Sequence, residues 1–323
     1  MNRRLLITLL VATGLLVLPA TAAARVNVAV GIGDQSPQMF ADPNWKALKL
    51  TKARYFVEWN AIDKPDKLAR VDQYVMAARA AKVKVLMHIS VDDINSKPRR
   101  PLPSVRQYRS KVGALVARYR PAGVTEWGVW NEANHSSQPT QKNAKRAAEF
   151  YRSFRTIRCS GCKIVALDVL DQAGVEGYIQ RWFKAAGTVG RNSNIVFGIH
   201  NYSEVNRRLG AKRKRTESFK KYPGTPRIIR AVRRQNKKAK FWYTETGGLA
   251  RFGSFGCNRT RQANRTTYMF TLAKRHRKDV NRLYSYNWYG TNCVSFDAGL
   301  VERNGAARAA YRTFRNQMRN FRR

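Results

Sequence analysis

The run Lys163-Ile-Val-Ala-Leu-Asp168, the segment Val175–Ala186 and the run Ile195-Val-Phe-Gly-Ile-His-Asn-Tyr202 read together as strand, helix, strand. The outer two are short and rich in β-branched or aromatic residues, as buried strands are, and the middle one has helical spacing. Outward from this unit the same alternation covers the chain. Toward the N-terminus lie strand-like runs at Val26–Gly31, Ala53–Trp59, Val83–Ile89 and Val124–Asn131; toward the C-terminus, Lys240–Thr244 and Arg282–Trp288. Helical spacing marks Asp66–Lys82, Ser104–Arg120, Gln141–Arg158, Pro226–Asn236, Gln262–Lys278 and Ala306–Phe321, with a shorter link at Pro43–Thr51. Eight strands with helices between them, over about 300 residues, predict an α/β fold of the (β/α)₈ type. A doubly wound open sheet is the rival. Gly31-x-Gly33 continues as Asp-Gln-Ser, however, and lacks the dinucleotide fingerprint. No linker, repeat or composition break marks a second domain, so residues 25–323 are read as one.

Composition narrows the setting. Of 323 residues, 43% are hydrophobic and 25% charged, which excludes wholesale disorder. Lys and Arg number 62 against 20 acids, a net charge of +42, so the partner should be anionic or stand in anionic surroundings. Residues 1–24 open with Arg3 and Arg4, run apolar from Leu5 to Leu18, and close in Ala22-Ala23-Ala24: the pattern of a signal peptide. The apolar run is shorter than the roughly 20 residues of a membrane span. The expectation is an exported protein with no membrane span, secreted or associated with the cell wall, and monomeric. Export makes the four cysteines candidates for disulfides. Three pairings exist; the preferred one joins Cys159 to Cys162 in a tight loop and Cys257 to Cys293 between two long loops. No second C-x-x-C completes a zinc site, and the four histidines lack H-x-x-x-H spacing, so neither metal nor cofactor is expected.

Chemistry in such a barrel belongs where strands end and loops begin. The fourth strand runs into Trp127-Gly-Val-Trp-Asn-Glu-Ala-Asn134 and the seventh into Phe241-Trp-Tyr-Thr-Glu-Thr-Gly247. A chain poor in acids thus places Glu132 and Glu245 at two aromatic strand ends. Two carboxylates on one rim are what glycosidic hydrolysis requires, one as proton donor and one as nucleophile. Glu132 should then have a raised pKa, supplied by the neighbouring Glu245 carboxylate, while Arg54 and Tyr202 keep Glu245 ionised. Asn131 is the candidate partner of a sugar 2-hydroxyl. Trp59, Trp130 and Trp288 are candidate sugar platforms, and His88 a candidate ligand contact. Glu58 shares a strand face with Arg54 and is read as its ion-pair partner.

Trp130-Asn131-Glu132-Ala133-Asn134 resembles the W-N-E-P-N acid/base signature of glycoside hydrolase clan A, the retaining (β/α)₈ glycosidases. Other matches are Arg54 with Trp59 five residues later, His200-Asn-Tyr202 on strand six, Trp288 on strand eight, and Gly299-Leu-Val301. The resemblance implies Glu132 as acid/base, Glu245 as nucleophile, Arg54 and Tyr202 as supports of Glu245, and Trp288 as floor of the sugar subsite. Two positions depart from the pattern: Ala133 replaces the usual Pro, and Gly128 stands where Glu is common. The implied function is a secreted retaining glycoside hydrolase acting on O-glycosidic β bonds of a polysaccharide or oligosaccharide. The alternative is a non-catalytic glycan- or cell-wall-binding protein on the same scaffold. Nucleic-acid binding has charge in its favour but no recognisable motif.

Two smaller readings complete the picture. The link from Ser203 to Tyr222 carries eight Lys and Arg, among them Arg213, Lys214 and Arg215, and would overlook the cleft or extend a basic surface. Of four N-x-S/T matches, those at Asn134 and Asn201 fall inside the proposed site and are read as chance.

Overall fold

The computed structural model describes residues 25–96, 101–192, 195–206, 224–253 and 256–322. The leader at 1–24 and most of the basic link, 207–223, lie outside the described residues. The elements follow in the order β1 (Val26–Gly33), α1 (Pro43–Leu48), β2 (Lys52–Glu58), α2 (Pro65–Ala80), β3 (Lys84–Ser90), α3 (Val105–Tyr119) and β4 (Glu126–Gly128). Next come α4 (Ala144–Phe154), β5 (Lys163–Leu170), α5 (Val175–Ala186), α6 (Thr188–Asn192), β6 (Val196–His200) and α7 (Tyr202–Asn206). The chain ends with α8 (Gly224–Arg233), β7 (Lys240–Thr246), α9 (Arg259–Arg275), β8 (Val280–Tyr286), α10 (Ala309–Met318) and β9 (Phe321–Arg322).

Strands β2 to β8 pair in chain order, β8 pairs with β1, and β1 returns to β2, so eight parallel strands close into a barrel. The expected (β/α)₈ architecture is the one found. Helix α5 shows why: Val175, Tyr178, Ile179, Trp182, Phe183 and Ala186 are buried, a 3.6-residue stripe laid on the sheet. Each large side chain buried in this way contributes about 1.5–3 kcal/mol. Helix α3 is started by a capping box, in which Ser104 Oγ accepts from Gln107 N at 3.2 Å and Gln107 Oε1 from Ser104 N at 2.8 Å.

Inside the barrel, space is shared between glycines and large polar side chains. A Cβ on Gly128 would sit 2.1 Å from the His88 ring, and one on Gly198 would sit 2.1 Å from Asp168 Oδ1. The lumen therefore admits a histidine and an aspartate where aliphatic residues usually fill it. Gly128, a departure in the sequence, is what makes room for His88.

Several expected boundaries shift, among them the ends of β4, β8 and the last helix. The fourth strand, expected to reach Asn131, keeps regular pairing only to Gly128. Beyond it the chain stays bonded to both neighbours, with Val129 N donating to Val165 O, Asn131 N to Ile89 O and Ala133 N to Asp168 O. Glu132 sits within this irregular stretch at φ +44°. The eighth strand ends at Tyr286 rather than Trp288. The last helix ends at Met318, and Phe321–Arg322 adds a short strand beside the start of β1.

Both cysteine pairs form as expected, Cys159 with Cys162 and Cys257 with Cys293. The first precedes β5 at the N-terminal end of the barrel, and the second ties the loops after β7 and β8 at the C-terminal end. Among the described residues, no helix is long and apolar enough to cross a membrane.

Candidate active site

At the C-terminal mouth, consecutive strands deliver Arg54 (β2), His88 (β3), Asp168 (β5), His200 (β6) and Glu245 (β7), with Glu132 just beyond β4. Glu245 is only 8% exposed, and Arg54, His88, Asp168 and His200 are essentially buried. Charges taken this far from water must be paired. Arg54 donates from Nη1 to Glu245 Oε2 at 2.6 Å and from Nη2 to Asn131 Oδ1 at 2.5 Å, and it lies 3.8 Å from Asp168. Tyr202 Oη donates to Glu245 Oε1 at 2.9 Å. Both oxygens of Glu245 are thus held, one by a cation and one by a hydroxyl.

Glu132 has a different environment. His200 bridges two carboxylates, with Nδ1 3.0 Å from Glu132 Oε1 and Nε2 2.9 Å from Asp168 Oδ2. Burial opposes a charge on His200, but Asp168 and Glu245 outweigh it and push its pKa up to about 10. His88 behaves oppositely: burial drives it down to about 3, so it stays neutral 3.4 Å from Asp168. Asp168, although burial raises it, is held well below the usual carboxylate range by His200, His88 and Arg54. The expected raised pKa of Glu132 is overturned. Burial does push it up, but the hydrogen bond and charge of His200, with a contribution from His135, bring it below its ordinary value. Glu245 does not supply the shift.

One oxygen of Glu132, one of Glu245 and a nitrogen of His200 all lie within 4.8 Å of one another. Such a trio has donor atoms a cation could use. With His200 protonated at this site, however, its positive charge would repel the ion, so the chemistry favours proton sharing.

The tryptophans distribute differently from expectation. Trp288 is fully buried: Asp34 Oδ2 accepts from the backbone N–H of Trp288 and Tyr289 and turns the chain out of the barrel after Tyr286. Its indole N–H then donates to Asp42 Oδ2 at 3.0 Å, and the ring packs between Trp45 and Tyr311. It offers no face to a sugar. Trp130 is also core, stacked on Phe150 with its N–H on Gln138. Trp59 remains half-buried at the β2 end. Glu58 pairs with Lys67 and Lys64, not with Arg54. Asn131 spends its carboxamide oxygen on Arg54, which leaves only its amide group for a ligand. Asn134 is buried and bonded in both directions to the Leu170 backbone, which bars a glycan there.

Several residues of the site stand outside the sequence motifs. Asp168 is the hub of the buried network, and its signal was an acid at the end of β5. Tyr286 takes the strand-eight place expected of Trp288: burial first, and then the nearby Glu245 and Asp34 carboxylates, push its hydroxyl pKa up. Phe296 packs on Tyr202 and Tyr286, and Phe252, 48% exposed, packs on Phe296. These rings form an apolar wall on the two loops joined by Cys257–Cys293.

Scans against protein-family models and curated proteins return no match. Solved structures do match. Xylanase B from Clostridium stercorarium F9 aligns with a TM-score of 0.57 at 14% identity, covering 89% of this chain and 96% of that one. A psychrophilic glycoside hydrolase family 10 endo-β-1,4-xylanase gives 0.58 at 14% identity, covering 90% and 96%. The protein XacCel5A gives 0.60 at 12% identity, covering 91% and 99%. At such identities the likeness is one of fold, over nearly the whole length.

Proposed function

We propose that this chain is an exported retaining glycoside hydrolase that cleaves β-glycosidic bonds by double displacement. The observation that carries the reading is the pair of carboxylates within 4.8 Å at the barrel mouth, one gripped by Arg54 and Tyr202, the other by His200. Retaining enzymes hold their carboxyl groups about 5–5.5 Å apart, whereas inverting ones leave about 6.5–9.5 Å for a water. Glu245 attacks the anomeric carbon as Glu132 protonates the departing oxygen; water then enters, gives its proton to Glu132, and displaces Glu245.

Glu132 needs a proton at the moment of bond cleavage. The His200 Nδ1–H, 3.0 Å away, is its nearest source, so imidazolium and carboxylate share one proton, and its transfer yields neutral imidazole and carboxylic acid. Asp168 fixes the imidazole in place for that transfer. The apolar wall of Tyr286, Phe296 and Phe252 is the platform for a sugar face.

The xylanases among the fold neighbours make β-1,4-xylan the first polymer to test. The net charge and the 203–222 link favour an acidic glycan or an acidic wall around the substrate. Aryl β-glycosides and β-glycans are to be screened with wild type and Glu245→Ala, and proton NMR should follow the first-formed product. A retained anomer, with activity absent from Glu245→Ala, is expected; an inverted anomer overturns double displacement.

A further inference from the structure

The opposite end of the barrel holds a second concave site. First residues of the strands surround a cavity of about 530 Å³, lined by Lys52, Arg155, Lys163, Lys240, Arg282 and Arg322 and by no carboxylate among the described residues. In most barrels of this kind that face serves stability. Here six cations converge on one hollow, and their mutual repulsion costs folding energy.

The buried Glu126 answers part of that charge. Arg282 lies at the floor, its guanidinium 3.8 Å from the Trp242 ring centre, and pairs with the buried Glu126 and with Tyr284 Oη. Lys163 stands 4.0 Å from the same Glu126, so one acid serves two cations. Burial, and then repulsion from Arg282, push the Lys52 pKa down, against the pull of Glu126. Lys163, Lys240, Arg155 and Arg322 rim it with exposed side chains. Arg155 also lines a neighbouring groove between α3 and α4 that carries Arg106, Arg109 and Arg152 beside the single acid Glu149.

We propose that this N-terminal mouth binds a compact, multiply charged phosphate-type anion. A single carboxylate has one charge and two oxygens, enough for one guanidinium fork. Linked phosphoryl groups bring several charges and many acceptor oxygens into a small volume, as converging ammonium and guanidinium donors require. Concave low-dielectric walls concentrate the field on that volume. The site is independent of the glycosidase reading, for it lies at the other end of the barrel.

The test is calorimetric titration of the whole chain with inorganic tripolyphosphate at 0.15 M salt, where diffuse attraction is screened beyond about 8 Å. One saturable site is expected. The triple variant Lys163→Gln, Lys240→Gln, Arg322→Gln changes only exposed side chains and should weaken binding about tenfold or more. A control triple at the far end, Lys142→Gln, Lys145→Gln, Arg303→Gln, removes the same charge and should change it less than about twofold. Equal losses in the two triples would assign the binding to net charge and overturn the site. Butane-1,2,3,4-tetracarboxylate, with a similar charge on carboxylates, should bind about tenfold more weakly than tripolyphosphate; equal affinity overturns the phosphate assignment.

Discussion

The two mouths of this barrel use the same scaffold and opposite electrostatics. At the C-terminal mouth, Arg54 and His200 are each enclosed by acids, and every buried charge has a partner within hydrogen-bond or ion-pair reach. At the N-terminal mouth, six cations face a hollow above the buried Glu126. Of only 20 acids in the chain, three converge on one end within a single network. A closed network fixes protonation states for chemistry, whereas an open, one-signed one waits for a counter-charge from outside.

The largest expected break in this contrast comes from Glu245→Ala. It should cost about 10⁴-fold or more in kcat on every substrate, with azide restoring turnover as a glycosyl azide. Failure of azide to rescue would remove Glu245 from the nucleophile's role. Glu132→Ala should cost about 10²–10⁴-fold on poor leaving groups and far less on activated aryl glycosides. Equal losses would show that Glu132 is not the acid.

Trp288 and Tyr286 separate structure from recognition. Trp288→Ala should destabilise the fold by about 3–5 kcal/mol in denaturant titration, leaving KM unchanged in the folded fraction. Tyr286→Ala should raise KM and cost less stability than Trp288→Ala, since Tyr286 is only half-buried. The reverse pattern would restore Trp288 to the cleft.

A pH series tests the His200 bridge. Its pKa is about 10 in the folded chain against an ordinary value of 6.5, so its contribution to stability is complete below pH 6.5 and fades as pH rises through 10. Wild type should therefore lose stability across that window, and His200→Gln should show little such slope. The alkaline limb of kcat/KM should move to lower pH in the same variant, because the shared proton is gone. A limb that stays in place would remove His200 as proton source. The smallest effect belongs to the other mouth: the Lys163→Gln, Lys240→Gln, Arg322→Gln triple should leave kcat/KM on a neutral aryl glycoside within about twofold, since its charges are separated from the cleft by the length of the barrel.

The alternation of strand-like and helical runs made the barrel legible, as burial on both faces of parallel strands leaves a strong local pattern. Glu132 and Glu245 were legible because strand ends can be counted along the chain, and Arg54, His200 and Tyr202 through the resemblance to glycoside hydrolase clan A; the structure gathers all five in one cluster. Tryptophans were less legible. Trp130 and Trp288 lie one or two residues from the rim in sequence, yet hydrogen bonds donated by Trp288 to the distant Asp34 and Asp42, or a stack on Phe150, decide which way each ring points.

The order and type of the elements, the two carboxylates at strand ends and the excess of positive charge are all written in the sequence. Those follow from periodicity and composition, which are local or additive. Folding adds that Asp168 and His200 lock together beneath Glu132, that Gly128 and Gly198 open the lumen for His88 and Asp168, and that Glu132 is pulled below rather than pushed above its ordinary pKa. Protonation in a buried site depends on which charges close around it across the barrel, and those charges come from strands far apart in the chain.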